Sequence, residues 1–226
     1  LAFAVCLIPF IIGFFIPAII LAYFSMLTFN YSSINNYINL ISNSFSLSLL
    51  ASIITVIAAL VIASGQRLYS GRLSMFTRLS LLGYAFPGAV LALGILIPLA
   101  YIDNLVDLVI FNYFNFSTGL IFSGSIFALI FAYLIRFIAI GYGAIDSSYS
   151  KINKNIDMSS ISLGVSKFNT IGKIHIPLLK SSMIIAFIIV FVDTMKELPA
   201  TLILRPFNFD TLATNVYQLA SDELLE

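Results

Sequence analysis

Across 226 residues, hydrophobic side chains make up 60% and charged ones 9%, with a mean hydropathy of +1.06 and a formal net charge of +1. A soluble globular domain carries about 25% charged residues, so this composition excludes one and calls for lipid as solvent. The length leaves room for one bundle of several spans of about 20 apolar residues each, with a loop or two.

The chain opens on an apolar run, 3–26, which lacks the basic flank and small-residue cleavage site of a signal peptide and reads as a true span. It begins with Leu1 rather than Met and closes on the polar run 221–226, so a piece of a longer chain is expected. Cys6, the only cysteine, rules out an internal disulfide framework and a cysteine-based zinc or iron–sulfur site, and it reads as an inert thiol. His175, the only histidine, rules out histidine pairs for a metal. Further apolar runs at 45–65, 79–101, 119–141 and 176–195 bring the expected spans to five. The expected fold is an all-α membrane protein, a multi-span bundle in a single transmembrane domain over 1–226. The Asn/Ser-rich stretch 30–48 reads as an exposed connection. Pro17, Pro87 with Gly88, and Pro98 fall inside expected spans, where neighbouring helices can satisfy the freed carbonyls.

Charge orients the spans. The loop 66–78 carries Arg67, Arg72 and Arg78 without an acid, and 143–180 carries five lysines against Asp146 and Asp157. By the positive-inside rule both face the cytoplasm. The stretch 27–44 is uncharged, 102–118 has only Asp103 and Asp107, and 193–226 has six acids against Lys196 and Arg205, so these face outward. Five spans place the segments on alternating sides and leave the N-terminus inside. With no tryptophan, interfacial anchoring falls to Tyr23, Tyr31, Tyr69, Tyr101 and Tyr142, near the expected span ends.

The segment 146–176 is long for a connector. Ile152, Ile156, Ser159, Ser160 and Leu163 recur at helical spacing, with Asp157 among them, and Gly164 can end a helix in the left-handed conformation. A second short amphipathic piece runs from Ser166 or Lys167 through Phe168 and Ile171 to Ile174 and Ile176, and Pro177 opens the last span. Two short helices around a glycine suggest a docking knob. The spacing resembles the cytoplasmic "EAA" loop of binding-protein-dependent ABC importer permeases: E-A-A, three residues, Gly, nine residues, Ile, one residue, Leu-Pro. Gly164, Ile174, Ile176 and Pro177 occupy the matching places, while Met158, Ser159 and Ser160 stand where the pattern has Glu-Ala-Ala and Ile176 where it has Leu. The resemblance implies a MetI-like permease bundle. It further implies that Ile152 to Phe168 forms a coupling helix seated on an ATPase dimer, which would hold the ATP and Mg while this subunit binds no cofactor.

Beyond the last span, K-E-L-P-A-T-L-I-L-R-P-F-N-F-D-T-L-A-T, from Lys196 to Thr214, resembles the same region of iron(III) importer permeases, close relatives of the thiamine and sulfate importers. The resemblance implies a lobe of a two-lobed permease in the bacterial inner membrane, fed by a periplasmic binding protein and paired with a second lobe. From the residues themselves, Asp193, Lys196 and Glu197 share a helix face at the expected outer end of the fifth span, as an ion-paired cap or the lining of a gate. Carboxylates suit a hard cation such as iron(III). Arg136 is the other intramembrane charge, expected near the inner end of the fourth span, either snorkelling or gating. No metal cage is assigned. No H-E-x-x-H, G-x-S-x-G or phosphate-binding G-x-x-x-x-G-K-[ST] occurs, so neither an enzyme nor a nucleic-acid partner is expected, and ATP hydrolysis falls to a separate subunit. Permeases for thiamine, sulfate, polyamine or phosphonate, and an ATP-independent secondary transporter, remain the alternatives.

Overall fold

A computed structural model describes residues 2–28, 34–69 and 74–222. Tyr31 and Arg72 lie outside the described residues, as does the side chain of Cys6. The described residues form helices and connecting turns. Five helical runs are long and apolar enough to cross a membrane, so the chain is an all-α, multi-pass membrane protein.

The first run, α1, comprises Ala2–Phe10, a π turn at Ile11–Phe15, and Ile16–Thr28. The π turn explains how Pro17 is tolerated. Proline clashes with the carbonyl four residues back and has no N–H to bond it, and a wider turn just upstream, where Ile16 N–H reaches Ile11 O, relieves that conflict. Every described residue from Leu7 to Leu27 is exposed, so no side chain over this stretch is buried against the rest of the chain.

The core is a three-helix packing of α2 (Ile34–Leu68), α5 (Ile126–Tyr149) and α7 (Lys167–Thr170, a π turn at Ile171–His175, then Ile176–Met195). The contact face of α2 is small: Ala51, Ser52, Thr55, Ala59 and Ala63 are buried, and a Cβ on Gly141 of α5 would stand 3.2 Å from that of Ala59. Lipid-embedded helices associate through such close van der Waals approach, since lipid gives no hydrophobic drive between them. Helix α2 begins eleven residues before the expected span, inside the stretch read as an exposed connection. Serines there are used for packing: Ser44 and Ser48 are buried, Ser44 Oγ accepts from Leu212 N, and Asn43 Nδ2 donates to the Asp210 carbonyl.

The third crossing is broken. Helix α3 (Ser74–Ser80) passes into a 3-10 turn at Leu81–Ala85, the chain becomes extended at Phe86, and α4 (Gly88–Phe114) starts after Pro87. The expected loop 102–118 is helical to Phe114 because its two acids turn back instead of standing in water. Asp103 accepts from Phe122 N, Ser123 N and Ser123 Oγ, and Asp107 from Thr118 N and Ser117 Oγ, which pins the return turn. That turn delays α5 to Ile126, seven residues later than expected, and carries it to Tyr149. Tyr142 is consequently inside α5, against the core, and Tyr101 inside α4, while Tyr69 does sit at the end of α2.

The expected two-helix cytoplasmic segment is one free helix, α6 (Lys154–Ser162). The second piece is the start of α7, and Pro177 lies within a continuous helical run, again just after a π turn. Past Met195 come α8 (Pro199–Leu204), packed on α4 and α5, and α9 (Leu212–Ser221), closed at its start by a Thr211–Thr214 capping box and packed on α2.

Candidate functional site

Two polar clusters are built into this apolar frame, one at each of two depths. The first holds α6. Asn153 caps its start by accepting from Asn155 N at 3.0 Å. Its end is a Schellman closure: Val165 N–H bonds Ser160 O, Gly164 N–H bonds Ile161 O, and Gly164 takes φ +77°, the left-handed geometry that favours glycine. On the inner face, Asp157 accepts from Arg67 Nε at 2.7 Å and pairs with His175 Nε2 at 2.8 Å. Arg67 spends its remaining donors on the carbonyls of Tyr149 and Ile152, at 2.6 and 2.9 Å. The Tyr149 hydroxyl bridges His175 Nδ1 and Ser64 Oγ. Both ring nitrogens of His175 are thereby engaged. One carboxylate on α6 is thus tied to α2 through Arg67 and α7 through His175, and the ring continues to α5 through Tyr149. Removing one member of a buried, hydrogen-bonded charge pair costs about 3–5 kcal/mol.

On the outer face α6 and the turn after it leave Ile156, Met158, Ile161, Leu163 and Phe168 exposed, the last two by more than four-fifths. Of the residues expected to couple, Ile156, Ser159, Leu163, Gly164 and Phe168 lie on this exposed side. Asp157 and Ser160 are turned inward, the latter bonding Thr170 Oγ1 at 2.8 Å, and Ile152 and Ile174 are partly buried. Pro177 lies further along α7, exposed on the far side of the π turn.

The second cluster lies deeper. Arg136 is ten residues into α5 from Ile126 and thirteen short of Tyr149, about 15 and 20 Å along the axis. It is therefore at the middle of the span and does not snorkel to the inner end. Its Nε pairs with Glu197 Oε2 at 3.2 Å and its Nη1 donates to Phe86 O at 3.0 Å, the carbonyl released by the break before Pro87. Glu197 Oε1 accepts from Ala200 N at 3.4 Å at the start of α8. Glu197 thus lies just past the end of the fifth span at Met195, as its sequence position suggested, and there meets the middle of α5. Asp193 and Lys196 form their own pair at 2.7 Å, with Lys196 exposed. Arg136, Glu197, Asp193 and Lys196 therefore sort into two ion pairs. Among the described residues no group of three His, Cys, Asp or Glu side chains is placed to hold a metal.

Sequence comparison adds to this geometry. The chain is similar to ferric transport permeases. It is 27% identical over 218 residues to the Fe(3+)-transport system permease protein FbpB 2 of Haemophilus influenzae, covering 94% of this chain and 40% of that protein. It is 27% identical over 188 residues to the ferric transport system permease protein FbpB of Actinobacillus pleuropneumoniae, covering 80% of this chain and 26% of that protein. The chain therefore spans two-fifths or less of the length of these permeases. No family model matches it.

Sequence reasoning missed the partners of Asp157. Arg67 counted only as a positive charge at a loop, and His175 only as an absent pair. Met158 stands where the EAA pattern has its glutamate, and Asp157, the neighbouring acid, makes an ion pair with Arg67 and a hydrogen bond with His175. Gly88 was noted beside Pro87 as a kink. Its importance is contact: a Cβ there would stand 2.5 Å from Glu197 Oε1.

Proposed function

We propose that this chain is a permease lobe of an ATP-binding-cassette importer that passes iron(III), delivered by a periplasmic binding protein, into the cytoplasm by alternating access. The observation that carries the reading is the clamped knob. Helix α6 leaves an apolar face exposed at the basic end of the bundle, and the ring of Asp157, Arg67, His175 and Tyr149 joins it to α2, α5 and α7. A rigid helix seated in a socket of the ATPase dimer then converts nucleotide-driven closing into a rigid-body tilt of the spans. ATP and Mg belong to the ATPase, and this subunit is a conduit with no reaction of its own. Its place is the bacterial inner membrane, with α6 on the cytoplasmic side and a second permease lobe beside it.

Similarity to ferric transport permeases supports iron(III), and the carboxylates of Asp193 and Glu197 suit a hard cation passing without a cage, because a multidentate site would release a trivalent ion slowly. The test is radiolabelled iron accumulation in an importer-deficient strain carrying the full permease, its ATPase and its binding protein. The proposal expects iron uptake that stops when ATP hydrolysis is blocked. Uptake of thiamine or sulfate in place of iron would overturn the substrate, and uptake that persists without an ATPase would overturn the importer class.

A further inference from the structure

Stability alone does not account for the mid-depth pair. Withdrawing two charges from water costs several kcal/mol per ion, about as much as their attraction returns, and apolar residues of similar volume often serve stability as well or better. Yet Arg136 and Glu197 are gripped from all sides. Arg136 reaches back to the orphaned Phe86 carbonyl, Glu197 receives the first amide region of α8, and Gly88 at the start of α4 fits against both, since a Cβ there would lie 2.5 Å from Glu197 Oε1 and 3.2 Å from Arg136 Nη1. Gly83, in the turn before the break, presses so closely on the Ile135 carbonyl that no side chain fits. Beside them, Lys196 is 71% exposed. Interrupted helices at mid-depth occur where backbone lines a cavity or another protein surface, and exposed charges there avoid lipid. This face of the bundle therefore meets water or protein.

We infer that the Arg136–Glu197 pair is a latch across the substrate path. The inference rests on the permease reading above. Closed, the latch joins α5 to the end of α7, to α8 and to the break between α3 and α4, and seals the path with charges that cancel. Opened by relative movement of α8 and α5, it presents one carboxylate, Glu197, to a passing cation, while Arg136 nearby keeps that contact weak. The absence of a three-ligand group among the described residues fits a passing contact.

The test uses the full permease with its ATPase and binding protein in proteoliposomes. Arg136→Met with Glu197→Leu removes both charges at similar volume. The latch predicts a complex that assembles and melts at or above the unmutated temperature, loses at least about 10-fold in iron uptake, and hydrolyses ATP without needing loaded binding protein. The charge exchange Arg136→Glu with Glu197→Arg should regain part of that dependence. Unmutated uptake and unmutated dependence on binding protein in the apolar double variant would overturn the latch and leave the pair structural. If the double variant does not assemble, Gly88→Ala is read instead, because it keeps both charges while displacing Glu197 Oε1 and crowding the Arg136 guanidinium; raised basal ATP hydrolysis supports the latch and tight coupling overturns it. The unmutated complex is the control that separates the two failures: no ATP-driven uptake there sinks the permease reading, and the latch with it.

Discussion

Asp157 shows how much one carboxylate can organise. It is on a nine-residue helix that could not hold itself folded in water, and it draws a guanidinium and an imidazole from spans that are distant in sequence. Asp157→Asn keeps the shape but removes the charge, leaving Arg67 with two carbonyls and no counter-ion. The expected outcome is a loss of about 3–5 kcal/mol in the stability of the knob region, read as a lower melting temperature in detergent and faster proteolysis within 150–166. Arg67→Met combined with Asp157→Asn should recover much of that loss, because no uncompensated charge remains. None of this ring was legible beforehand. Its directly bonded members are up to 90 residues apart, and no local pattern marks an arginine at the end of an apolar run as a partner for an acid in another loop. Gly164 was legible, because left-handed backbone is a local demand that names its own residue.

At the scale of elements, hydropathy located all five crossings but not their ends. Serine and asparagine at 34–48 read as loop, yet buried serines are what lets α9 tie down on α2. Asp103 and Asp107 read as solvated charges, yet each is spent on backbone amides of the turn 117–123, so α4 outruns its apolar stretch. Pro17 and Pro98 do lie inside membrane helices, as expected. The π turns that admit Pro17 and Pro177 leave no sequence signature beyond the prolines themselves, whereas Pro87, followed by Gly88, ends one half-helix and starts the next. The element with the sharpest local requirement is the α6 closure. Gly164→Val puts a β-branched residue at φ +77°, at a cost of about 1–2 kcal/mol or more. The expected outcome is normal membrane insertion with loss of substrate-stimulated ATP hydrolysis, checked by hydrolysis assays with and without loaded binding protein.

Over the whole molecule, two packing clusters stack along α2, α5 and α7. One, around Val56, Ala59 and Leu179, lies beside the knob; the other, around Leu129, Tyr133 and Val190, lies towards the Asp103 end. The charged latch is at the level between Tyr133 and Phe137, where α3, α4 and α8 meet α5. Small-residue helix contacts thus connect the knob to the break. The overall bundle was legible because composition demands lipid and charge bias sorts the loops. The joining of distant charges was not, because it depends on three-dimensional placement alone. The central claim is that the exposed face of α6 is where nucleotide energy enters the permease. The most direct measurement is cysteine cross-linking from Leu163→Cys and Phe168→Cys to the ATPase in membranes holding the full importer, with Val61→Cys on the exposed side of α2 as the comparison. The account predicts efficient cross-links from both knob positions, altered by ATP, and none from Val61; an assembled, active importer with no cross-link from either knob position would contradict it.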